Sequence, residues 1–97
     1  MPTFVSLVNW TDQGIKNYRD SVRRAEDYRS LVEKSGGQVR QLVWTLGEYD
    51  VVAVTEFPDD ETATAVALQT AALGNIRTKT MKAFDAEQMS AIIQRTG

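Results

Sequence analysis

The stretch QVRQLVWTLGEYDVVAVTEF, residues 38–57, decides how this chain folds. Two β-branched, apolar runs, QVRQLVWT at 38–45 and DVVAVTEF at 50–57, flank the short turn LGEY. That pattern reads as two strands joined in a hairpin. Gly47 supplies the positive φ angle that such a turn needs. Pro58 ends the second strand, because proline has no N–H to extend the ladder.

Moving outward toward the N-terminus, TFVSLVNW at 3–10 is a further apolar strand. Thr11 is placed to cap a helix, and Asp12 suits the positive end of its dipole. Ile15, Tyr18, Val22, Ala25, Tyr28, Leu31 and Val32 recur at helical spacing, which predicts one long helix stopped by Gly36 and Gly37. Arg19, Arg23, Arg24 and Arg29 alternate with Asp20, Glu26 and Asp27, and read as a solvated face with i,i+4 pairs. On the C-terminal side, Asp59, Asp60 and Glu61 open a second helix. Three adjacent carboxylates on a helix start point in different directions, so they read as caps rather than as a magnesium or calcium site. No charge occurs from Thr62 to Ile76. NIRTKTMKAF at 75–84 is a fourth, more polar strand. Asp85 and Gln88 have capping-box spacing, and EQMSAIIQR at 87–95 carries Met89, Ile92 and Ile93 on one helical face.

The order β-α-β-β-α-β with a short C-terminal helix is the ferredoxin-like α+β arrangement, in a single domain over 1–97. It predicts a four-stranded antiparallel sheet in the order 4-1-3-2, with both long helices on one face. Strand alternation then sorts the side chains. Phe4, Ser6, Val8 and Trp10 oppose Val5, Leu7 and Asn9. Leu42, Trp44 and Leu46 oppose Val39, Val43 and Thr45. Val52 and Val54 oppose Val51, Ala53 and Phe57. Both faces are apolar, and two helices cover only one. A second copy of the sheet is the expected cover, giving a homodimeric α/β barrel.

The same topology gathers residues at one rim. The end of the first strand (Asn9, Trp10) lies beside the start of the third (Tyr49, Asp50) and of the fourth (Asn75, Arg77), with Thr11 opening the first helix. Trp44 precedes the turn. These eight are the candidate ligand-binding residues. Arg77 suits a carboxylate or phosphate, or else an ion pair with Asp50 or Glu48. Asp50 suits a ligand contact or backbone N–H groups at the strand end. Trp10 and Trp44 suit the core, an interface or ligand stacking.

Composition narrows the chemistry. The chain has 97 residues and a net charge of -2, from 13 acidic and 11 basic residues, without a basic cluster. Binding to nucleic acid through phosphate neutralisation is not expected. There is no cysteine and no histidine. Disulfides, thiol catalysis, the usual neutral-pH base and the commonest ligand of transition metals are all missing. The serines have no histidine to activate them. No metal site and no cofactor is expected. The first apolar run is short and has no basic residue before it, so neither a signal peptide nor a membrane span is read there, and a soluble cytoplasmic protein is expected.

LVNWTDQGI (7–15), SGGQVRQLVWTLGEYDVVAVTEFPDDE (35–61) and LGNIRTKTMKAF (73–84) resemble the GYD-domain family of small bacterial and archaeal proteins. The most specific parts are the Gly–Tyr–Asp turn, the Pro–Asp–Asp helix start and the Gly–Asn–Ile–Arg–Thr strand. In this chain Glu48 stands between Gly47 and Tyr49. The resemblance implies a dimeric α/β-barrel fold and no particular activity. Three functions stay open: a non-catalytic small-molecule-binding or accessory dimer, a cofactor-free monooxygenase-like enzyme acting on a small aromatic substrate, and a structural or interaction module. The enzyme reading draws on Asn9, Trp10, Tyr49 and Arg77, which resemble the residue types around the apolar sites of such barrels.

Overall fold

In the computed structural model, which describes residues 1–97, the hairpin forms from β2 (Gln38–Trp44) and β3 (Val51–Glu56). Gly47 has φ +130 at its turn, as the reading of LGEY requires. The remaining elements are β1 (Thr3–Trp10), α1 (Asp12–Lys16), α2 (Ser21–Lys34), α3 (Asp60–Ala72), β4 (Ile76–Ala83) and α4 (Ala86–Gln94). The sheet order is β2-β3-β1-β4 with every pair antiparallel, the expected order read from the other edge.

Two local expectations change. Unbroken alternation groups Val39 opposite Leu42 and Trp44. The register instead slips between Val39 and Gln41, so that Val39 faces Thr55, Leu42 faces Ala53 and Trp44 faces Val51. One extra residue in β2, a β-bulge, turns Val39 to the same side as Leu42 and Trp44. The predicted single long helix is also divided. Asn17 leaves helical geometry (φ -106, ψ 33), a 3₁₀ turn covers Tyr18–Asp20, and α2 starts afresh at Ser21. The cause lies across the fold. Thr11 N–H donates to the Asn75 carbonyl at 3.0 Å, and a Cβ on Gly14 would stand 2.0 Å from that same oxygen. Glycine lets α1 press against the strand-4 connection, and the chain must then bend before α2 lies over the sheet. Ile15, Tyr18 and Val22, periodic in sequence, end up exposed.

Helix caps follow the sequence closely. Asp59 accepts from Thr62 N–H at 2.7 Å, and Asp85 and Gln88 form a reciprocal capping box. The core is small and sits toward one end of the sheet: Phe4, Val32, Val39, Phe57, Ala63 and Val66. Phe4 and Phe57 meet edge to face at 5.9 Å between ring centres, a favourable aromatic geometry.

The two sheet faces differ sharply. Phe4, Ser6, Val8, Ala53 and Thr55 lie buried beneath α2 and α3. On the other face Val5, Leu7, Val52 and Val54 are half-exposed, and Val43 and Met81 are exposed. Arg40 pairs with Glu56 at its margin. α4 has no extended contact with any other element, and its Met89 and Ile93, with Phe84 before it, are exposed. The chain measures 52 × 30 × 18 Å.

Candidate functional site

α2 and α3 lie on the same face yet barely touch each other. The sheet beneath them therefore forms the floor of a cavity of about 360 Å³. This is within the range of roughly 300–1,000 Å³ usual for small-molecule pockets. Phe4, Phe57 and Ala63 wall one end, where the core begins. Trp10, Trp44, Leu73 and Ile76 wall the other. Tyr28 and Leu31 reach in from α2. The floor carries a thin polar stripe, in which the Ser6 and Thr80 hydroxyls are 2.9 Å apart. Burial raises the Tyr28 phenol above its ordinary value of 10.0, against a smaller opposing effect from the Thr55 side chain. At neutral pH Tyr28 is thus a neutral hydrogen-bonding group rather than a base.

The eight candidates from the sequence do not meet in one place. Trp10, Trp44 and Asn75 line the cavity. Asn9 pairs with Arg77 across β1 and β4, one residue out of phase with Trp10, so both side chains belong to the bare face. Tyr49 is on that side too, with Lys79 Nζ 5.7 Å from its ring centre. The sheet itself separates Trp10 from Asn9 and Arg77, so one chain does not assemble Asn9, Trp10, Tyr49 and Arg77 around a common pocket. Asp50 ties strand ends together. Its carboxylate accepts Trp10 N–H at 2.9 Å, and its own N–H donates to the Val8 carbonyl at 2.8 Å. Thr11 caps α1 by accepting from Gly14 N–H, and donates its hydroxyl to the Gly74 carbonyl at 2.6 Å. Asn9 Nδ2 donates to the Glu48 carbonyl at 2.8 Å, which fixes the inserted residue of the turn. Arg77 makes no ion pair with Asp50 or Glu48; the ion pairs of the chain lie elsewhere.

Sequence reasoning misses Arg24. The helical pattern assigns it to the solvated face of the first helix, whereas it is half-buried and lines the cavity at the tryptophan end. Its Nη2 donates to the Gly14 carbonyl at 3.2 Å and to Ser21 Oγ at 3.4 Å. No carboxylate pairs with it; the nearby Asp27 is engaged by Arg23 at 3.4 Å. A signal was present. Arg24, Tyr28 and Leu31 stand at i, i+4 and i+7, so the stripe that faces the sheet runs through the arginine.

A four-stranded antiparallel sheet, roofed on one face by two splayed helices with an apolar cavity between, defines a ferredoxin-like α+β domain. The chain belongs to the GYD domain family, whose model matches residues 4–93. It is 30% identical over 92 residues to the glutamine synthetase and cystathionine beta-lyase binding protein of Thermus thermophilus, covering 94% of this chain and 97% of that protein. Among solved structures it resembles TTHA0845, also from Thermus thermophilus (TM-score 0.57, 25% identity, 89% of this chain and 96% of that one). It also resembles MtbAldR (TM-score 0.67, 12% identity), covering 87% of this chain and 53% of that one. A putative chlorite dismutase, TA0507, is similar in fold too (TM-score 0.57, 13% identity, 95% of this chain and 48% of that one). The chain thus spans about half the length of the last two proteins. No helix is long and apolar enough to cross a membrane.

Proposed function

We propose that this chain is a non-catalytic binding or accessory protein of the cytoplasm that works as a homodimer, its two sheets packed face to face in an α/β barrel. The observation that carries this is the bare sheet face, with Val5, Leu7, Val52 and Val54 at its centre and polar pairs such as Arg40–Glu56 at its margin. Sheets stack about 10 Å apart when apolar faces meet, and a second copy offers a face of the same composition. The exposed apolar side of α4, unsupported by its own chain, then gains a surface to lie on. The accessory role is supported by the Thermus relative, which is named for binding two metabolic enzymes. The outer side of α3 suits such an enzyme contact. Beyond Asp60 and Glu61 in its first turn it carries no charge, and Leu68 on it is 67% exposed.

Light scattering at micromolar concentration should give the mass of two chains. Val54→Lys, which puts a charge at the centre of the bare face, should reduce it to one. A wild-type mass of one chain removes the barrel. Immobilised wild-type protein should capture purified glutamine synthetase or cystathionine beta-lyase, and Leu68→Lys should lose that capture while remaining a dimer. If neither enzyme binds wild type, the accessory reading fails while the dimer is judged separately.

A further inference from the structure

We propose that the cavity between the sheet and helices α2 and α3 is a binding site for an organic acid with an apolar body, whose carboxylate is held by Arg24. This goes beyond the accessory role and the dimer, since the site lies within one chain on the covered face of the sheet. Three observations meet there. The volume, about 360 Å³, is enough for a small molecule. Most of its lining residues are apolar, Phe4, Phe57, Leu42 and the two tryptophans among them, and its one acidic lining residue, Asp27, is paired with Arg23 at 3.4 Å. Its tryptophan end holds a half-buried guanidinium with no carboxylate partner.

The geometry of Arg24 fits this task. Nη2 is anchored by Gly14 and Ser21, which fixes the plane of the guanidinium. Nε and Nη1 have no protein partner and stay free to bind a carboxylate, the arrangement in which arginine is most selective. The N-cap of α2 is Asp20, whose carboxylate pairs with Arg23 at 3.5 Å, so Arg24 and not the helix end supplies the attraction. Asn75 lines the cavity at that end and is a further polar neighbour for the head group. A neutral or cationic apolar ligand would leave the guanidinium half-buried without a counter-charge. Recognition of an anion removes that cost.

The probes are decanoate and its uncharged counterpart 1-decanol, titrated into the full-length protein. Binding is followed by calorimetry and by the fluorescence of Trp10 and Trp44, both of which wall the cavity. Decanoate should bind once per chain and blue-shift the emission, and 1-decanol should bind at least tenfold more weakly. Arg24→Gln should weaken decanoate by about ten- to a hundredfold, the loss expected for hydrogen bonds to a charged group, and leave 1-decanol unchanged. Arg24→Lys, which keeps the charge and loses the fork, should fall between. Ala67→Phe, which fills the space beneath α3, should block both probes. Far-UV circular dichroism checks that each variant is folded, and the two arginine variants decide the matter if Ala67→Phe is not. The proposal is overturned if decanoate does not bind, if it binds no better than 1-decanol, or if Arg24→Gln binds it like wild type. It is equally overturned if Val54→Lys abolishes binding while Ala67→Phe leaves it intact, which would put the probe on the bare face.

Discussion

The two faces of one sheet, built from the same strands and similar residues, have opposite fates here. On one face α2 and α3 bury Phe4, Val8, Ala53 and Thr55. On the other, Val5, Leu7, Val52 and Val54 stay half-exposed with no helix of the chain to cover them. Apolar content does not distinguish the two sets; chain length does. A domain of this size has only enough helix for one face, and small domains bury a lower share of their surface than large ones. The covered face is itself covered incompletely, and the gap between its two helices is the cavity. One shortage of covering structure thus produces both a ligand-sized space inside the chain and an uncovered apolar face outside it.

This contrast can be broken most forcefully on the covered side. Phe57→Ala removes a 3% exposed ring that packs on Phe4. It should cost about 3–5 kcal/mol, read from the midpoint of chemical denaturation. A loss below about 1 kcal/mol would mean that the core is far looser than its packing suggests. Next in size is Gly14→Ala. Its Cβ would meet the Asn75 carbonyl oxygen at 2.0 Å, so either α1 or the β4 connection must move, at about 1–3 kcal/mol for forced overpacking. A thermal midpoint equal to that of wild type would show that α1 is not pinned there.

On the bare side the expected effect on the fold of the chain is smaller. Val54→Lys should change its intrinsic stability by no more than about 1 kcal/mol, the span of strand preferences. The wild-type melting temperature should rise with protein concentration, and that of Val54→Lys should not, because only a dimer gains stability by mass action. Similar concentration dependence in both would place the subunit contact elsewhere. The mildest effect concerns a fully exposed cap away from both faces. Hydrogen bonds from the Thr62 side chain and backbone hold Asp59 below its ordinary value of 3.8. A carboxylate depressed in the folded state stabilises at pH above its unfolded value and loses that contribution as pH falls through the folded value. The stability difference between wild type and Asp59→Ala should therefore be present at pH 7, begin to shrink below about pH 4, and vanish in stronger acid. Denaturation midpoints across that range give the answer, and a difference that does not change with pH would mean that the charge of Asp59 contributes nothing to the cap.

Much of the fold was legible because its signals are local. Alternation in DVVAVTEF, the glycine in LGEY and the Asp85–Gln88 pair each report on a few neighbouring residues. The site was less legible because its geometry is not local. Asn9 and Trp10 are adjacent in sequence, and adjacency on a strand sends them to opposite faces. Asp50 carried two readings in sequence, a ligand contact or backbone N–H groups at the strand end, and its place beside β1 gives it the Trp10 N–H to accept. Arg24 looked like one more surface charge among four arginines. Its helical stripe with Tyr28 and Leu31 held the signal, but nothing in the local pattern says that a cavity lies beneath that stripe.

The amino-acid sequence alone determined the element order, the antiparallel hairpin, the helix caps and an excess of apolar sheet surface, since each depends on period, turn chemistry or capping within short windows. The tertiary structure decided where β2 bulges and turns Val39 inward, where the first helix breaks, and which polar groups overlook the cavity. Those outcomes rest on contacts between residues of different elements, from Val39 with Thr55 at the bulge to Trp10 with Asp50 and Thr11 with Gly74. Short-range patterns carry no record of such contacts, because they exist only once the strands have paired.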